Sequence, residues 1–85
     1  MKQFQYVIQA QHGIHGRPAM QLVNLAKSLD SHVTVNCSGQ SCDGDKLMAL
    51  MLLDIQQGQC VTVSVQGGNE DGNQKKLEEF FAANL

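Results

Sequence analysis

A chain of 85 residues, 42% of them hydrophobic and carrying a formal net charge of −2, has material for one compact domain and no more. Its six basic residues are scattered rather than gathered into a run or a face, which excludes the electrostatic footprint of a nucleic-acid binder. No apolar stretch is long enough to span a bilayer, and Met1-Lys2-Gln3-Phe4-Gln5-Tyr6 alternates where a signal peptide would be continuously apolar, so residues 1–85 read as a single cytoplasmic domain without membrane insertion.

Phe4, Tyr6, Ile8 and Ala10 share one parity and Gln3, Gln5 and Gln9 the other, predicting a half-buried strand from Gln3 to Ala10. Gly13 breaks that pattern. Ala19, Leu22, Val23, Ala26 and Leu29 then recur at helical spacing, predicting a helix from about Gly16 to Leu29. Pro18 marks its first turn, because proline has no N–H and is tolerated where the amides lack an intrahelical partner. His15 therefore falls at or beside the N-cap.

His32 to Cys37 alternates again through Val33, Val35 and Cys37, Ser38-Gly39-Gln40 reads as a turn, and Ser41-Cys42 as a short edge strand. Asp43-Gly44-Asp45 carries turn and cap chemistry, and Leu47, Met48, Leu50, Met51 and Leu52 predict a short second helix. After Gln57-Gly58-Gln59, Val61, Val63 and Val65 alternate with Thr62, Ser64 and Gln66 in the cleanest strand pattern of the chain, which ends at Gly67-Gly68. Asn69 is placed to cap a closing amphipathic helix from about Glu70 to Ala83, with Glu70 and Asp71 at its positive end and Leu77, Phe80 and Phe81 on its inner face.

The order β-α-β-β-α-β-α predicts an α+β fold in which helices cover one face of an antiparallel sheet. The other face is wet, since the outward parity of the first and last strands is mostly Gln, Ser and Thr. Cys37, Cys42 and Cys60 are odd in number and form no C-x-x-C pair. Cys37 and Cys60 fall within strand patterns, where buried, reduced thiols packing as small apolar groups are expected.

One stretch carries chemistry: Gly13-Ile14-His15-Gly16-Arg17-Pro18-Ala19. Neutral imidazole is a nucleophile near pH 7, and the amides of Gly16 and Arg17 at a helix N-terminus, with the Arg17 guanidinium, form an anion site around it. A cation in the first turn of a helix opposes the macrodipole, and a bound anion accounts for Arg17 better than a plain surface charge does. No catalytic base, carboxylate pair or glycine-rich nucleotide loop accompanies His15, and no cofactor is expected. This is the equipment of a relay rather than of an enzyme that turns over on its own. His12 and His15 lie three apart without a third ligand, so no metal site is expected; His12 flanks the site and His32 reads as exposed.

On Gly13-Ile14-His15-x-Arg17-Pro18-Ala19, on length, on element order and on the region from Lys46-Leu47-Met48 to Gln57-Gly58, the chain resembles the HPr family. These are the histidine-containing phosphocarrier proteins of the bacterial phosphoenolpyruvate-dependent phosphotransferase system. The resemblance implies an HPr-like open-faced sandwich, a four-stranded antiparallel sheet with three helices on one face. It also implies that His15 accepts phosphate on Nδ1 from phosphorylated enzyme I and passes it to an enzyme IIA of the sugar phosphotransferase system, with Gly16 and Arg17 holding the phosphate. The docking positions are His12, flanking the site, and the apolar Met20, Leu47, Met48 and Met51, which the resemblance implies; the apolar ones read either as core or as a partner surface, and partial exposure is expected of Leu47, Met48 and Met51. Leu50 and Leu53 are expected in the core. A relay that offers one face to successive partners is expected to be a monomer.

Three departures from the family pattern bear on function. Lys46 replaces the serine through which many members are regulated, which removes that control. Gly16 stands where alanine or threonine is common, loosening the first turn while keeping its amide. Asp54 stands where members of the sugar system usually have glycine, and Leu50-Met51-Leu52-Leu53-Asp54 resembles the nitrogen-type paralogue. A regulatory module of that branch, acting on partners through its phosphorylation state, is the alternative role.

Overall fold

Alternation produces the sheet and helical spacing covers it. In the computed structural model, which describes residues 1–85, the elements are β1 (Lys2–Val7), α1 (Arg17–Ser28), β2 (His32–Cys37), β3 (Gln40–Asp43), α2 (Leu47–Leu52), β4 (Cys60–Gln66) and α3 (Glu70–Asn84). The strands form one sheet in the order β1-β4-β2-β3 with every pairing antiparallel. The strand with the cleanest alternation, β4, lies between β1 and β2, which consequently run parallel to each other with α1 crossing between them. Ser38 and Gly39, at φ 54° and 80°, make the tight two-residue hairpin between β2 and β3.

Val33, Val35, Val61, Val63 and Val65 turn inward beneath Ala19, Leu22, Val23 and Ala26 of α1, Leu50 of α2, and Leu77 and Phe81 of α3, all in one core. Phe81 anchors α3 by meeting Phe4, Tyr6 and Phe80 edge to face at ring-centre distances of 5.7, 5.5 and 6.1 Å. Outward-facing residues form polar rows across the strands, Gln5-Thr62-Asn36-Ser41 and Gln3-Ser64-Thr34-Asp43. The wet face predicted from parity is therefore present, and on it exposed His32 meets Asp43 at 3.1 Å.

The structure departs from the sequence-based expectations at element ends. β1 stops at Val7 rather than Ala10, because past Ile8 the chain leaves β4 and the amides of Gln9 and Ala10 donate to the Leu85 carbonyl at 2.5 and 2.8 Å. Neither Asp43 nor Asp45 caps α2: its N-cap is Lys46, without a side-chain cap, and Asp43 is drawn instead to His32. Cys60 is exposed rather than buried, for it shares the outward parity of Thr62 and Ser64. Cys37 is buried and Cys42 half-buried; burial, with Asp43 alongside, raises the Cys42 thiol above its ordinary pKa. Leu50 is core as expected, whereas Leu29 and Leu53 are only half-buried at its margin.

Asn69 caps α3 by accepting from the Gly72 amide at 3.3 Å. Beside it, buried Asn73 donates through Nδ2 to Asp30 Oδ1 at 2.6 Å and to Ser31 Oγ at 2.7 Å. Ser31 donates to the Gly67 carbonyl at 2.5 Å, and the Gly67 amide donates to Glu70 Oε2 at 2.6 Å. This network fastens the end of α1 to the start of α3. No helix is long and apolar enough to cross a membrane.

Candidate functional site

The site begins with two glycines whose conformations fix where His15 goes. Gly13 has φ 69°, and a Cβ there would fall 2.0 Å from the Ile55 carbonyl oxygen, so only glycine lets the loop lie against the segment after α2. The Ile14 amide donates to that same carbonyl at 3.1 Å, and the Ile14 side chain is buried. With its neighbour pinned on both counts, His15 is left exposed at the surface. Gly16 then serves as N-cap at φ 63° and ψ −128°, a backbone region open essentially to glycine.

Arg17 and Pro18 open α1, and its first turn closes with the Met20 amide donating to the Gly16 carbonyl at 3.1 Å. The amides of Gly16 and Arg17 donate to no other backbone group, as the start of any helix requires. The exposed Arg17 guanidinium pairs with none of the chain's carboxylates. An imidazole, two amides without a backbone acceptor and an unpaired cation thus lie within three consecutive residues, an arrangement suited to receiving an anion beside a nucleophile.

A cavity of about 300 Å³ adjoins this helix end. Gln11, His12, Ile14 and His15 line one side, and Met51, Asp54, Ile55 and Gln56 line the other. Among the docking positions implied by the sequence, the cavity brings His12 and Met51 together with His15. Met20, Leu47 and Met48 do not line it. Met20 and Met48 are exposed at 54% and 71%, while Leu47 and Met51 are half-buried against the core.

Two features escaped the reading of the sequence. Leu52 is 79% exposed and lies four residues beyond Met48, hence on the same face of α2; i,i+4 spacing was the signal that could have found it. Asp54 was noted as a departure from the family, but not as part of the site. Its position depends on a left-handed turn at the end of α2, with φ 50°, which hydropathy patterning does not report.

The family model described as "PTS HPr component phosphorylation site" matches residues 2–83. Over 73 residues the chain is 40% identical to the phosphocarrier protein HPr of Haemophilus influenzae, covering 86% of this chain and 82% of that one. It is 39% identical over 67 residues to HPr of Vibrio cholerae, covering 79% of each. A crystal structure of HPr from Thermoanaerobacter tengcongensis superposes with a TM-score of 0.93 at 28% identity, covering 98% of this chain and 93% of that one. With fold, helix-end histidine and relatives in agreement, the chain belongs to the HPr family, the phosphocarrier components of the phosphotransferase system.

Proposed function

We propose that residues 1–85 act as one monomeric, cytoplasmic domain whose phosphoryl group rides on His15. A lone pair of the neutral imidazole attacks phosphorus, the bond from phosphorus to the donor breaks, and a new N–P bond forms. The phosphoryl oxygens then face the Gly16 and Arg17 amides and the Arg17 guanidinium, which supply charge-assisted hydrogen bonds. Transfer onward reverses the step on a second nucleophile. The observation that carries this reading is the exposed His15 next to the N-cap of α1, where the Gly16 and Arg17 amides have no backbone acceptor.

The proposed donor is phosphorylated enzyme I and the proposed acceptor an enzyme IIA. His12, Met20, Leu47, Met48 and Met51 form the proposed docking surface, where flexible methionines suit a face that fits more than one partner. The test is to mix the phosphorylated chain with separate enzyme IIA domains and follow the label. Rapid loss of phosphate to a sugar-specific domain is the expected result; a phosphorylated chain that gives its label to no enzyme IIA overturns the carrier role.

Asp54 favours a second reading within the same chemistry, service in the nitrogen-type branch. Transfer confined to a nitrogen-type enzyme IIA supports it.

A further inference from the structure

We propose that Asp54 sets the phosphoryl-transfer potential of His15: its carboxylate, held in the cavity that His15 lines, repels the incoming phosphoryl oxygens and keeps the phosphorylated chain a ready donor. This rests on His15 being the phosphorylated residue.

Three observations converge on Asp54. It is the only carboxylate in the cavity lining. Though exposed, it is oriented locally: Oδ1 accepts from Gln56 Nε2 at 2.6 Å, and the Asp54 amide donates to the Met51 carbonyl at 3.1 Å. Finally, Asp54 sits at φ 50°, a left-handed conformation that glycine adopts at no steric cost and that Asp adopts occasionally, aided by local hydrogen bonding. The fold keeps an anion at a position where the backbone alone would favour no side chain.

A phosphoryl group on His15 brings close to two negative charges near neutral pH, as phosphate esters do. Arg17 and the first amides of α1 adjoin His15 and hold those charges. Asp54, which lines the same cavity as His15, opposes them. The remaining polar lining, Gln11, His12 and Gln56, includes no lysine or arginine to cancel it. A carrier bound too tightly to its phosphate delivers it poorly, and an opposing carboxylate offsets part of the grip of the helix end. The group moves intact: the N–P bond on His15 breaks as the bond to the acceptor forms, and Asp54 touches neither proton nor electron pair.

The experiment sets two chains in competition. Isotopically labelled wild-type chain and unlabelled Asp54→Asn chain are mixed in equal amounts with phosphoenolpyruvate, pyruvate and catalytic enzyme I, and the phosphate on each is read by intact mass spectrometry without acid. Asn tolerates the left-handed conformation and keeps the bond to Gln56, so it removes charge and little else. The expected outcome is phosphate partitioning toward Asp54→Asn by roughly threefold to tenfold, the order of effect of one nearby, partly solvated charge. Asp54→Glu, which restores the charge, is expected to return most of that shift, and a merely structural role for Asp54 would not follow charge in this way. Equal partitioning between wild type and Asp54→Asn overturns the proposal. A wild-type chain that takes no phosphate on His15 is a different outcome, which overturns the carrier reading beneath it.

Discussion

At the scale of single residues, the site depends on backbone conformations more than on side-chain contacts. Gly13 presses its Cα against the Ile55 carbonyl, and Gly16 takes φ 63° with ψ −128° as the N-cap between His15 and α1. The two differ in kind, since a Cβ at Gly16 meets nothing within 4 Å while one at Gly13 would overlap backbone. Gly13→Ala is therefore expected to lower stability by about 1–3 kcal/mol, the usual cost of a residue held in a sparsely populated conformation, with the added overlap acting in the same direction. Urea denaturation at unchanged slope measures it; a midpoint equal to wild type would show that the loop does not depend on that close approach.

At the scale of elements, the end of α1 and the start of α3 are joined by carboxylates that accept hydrogen bonds. The Asn73 side chain and then the Asn69 amide hold Asp30 below its ordinary value of 3.8, and the Gly67 amide with the Met1 amino nitrogen does the same for Glu70, ordinarily 4.5. A carboxyl group whose pKa is lower folded than unfolded binds more protons in the unfolded state at acid pH. Its contribution is complete above the unfolded value and is lost as pH falls through the folded one. The contribution of Asp30 and Glu70 is thus expected to be level above about pH 5 and to decline below it, and Asn73→Ala is expected to flatten the part of that decline owed to Asp30. Denaturant midpoints across pH 3–7 check this; identical profiles for wild type and variant would remove Asp30 from the account. Strands, helices and the Asn69 cap were legible in the sequence because they rest on period and on short-range chemistry. The Asn73 network was not, since it pairs residues more than forty positions apart, and Cys60 was misread although its parity with Thr62 already pointed outward.

At the scale of the whole molecule, chemistry and fastening lie at opposite ends of α1, whose 12 residues span roughly 18 Å. Apart from Val7 and the terminal Met1, the exposed large apolar side chains are Met20, Met48 and Leu52, on the helical side where α1 and α2 pack together. The docking surface proposed for successive partners draws on these exposed side chains, and His15 and Asp54 line one cavity. Much of this site was legible from Gly13 through Ala19, since a proline-marked helix start locates both imidazole and amides. The cavity was not, because it forms only when the end of α2 folds against the loop from Gln11 to His15. If His15 carries the phosphoryl group, incubating the chain with enzyme I and phosphoenolpyruvate and mapping the label by mass spectrometry at neutral to alkaline pH is expected to find one acid-labile phosphoryl group per chain, on His15 and absent from folded His15→Ala. Label retained by that variant, or mapped to His12, overturns it.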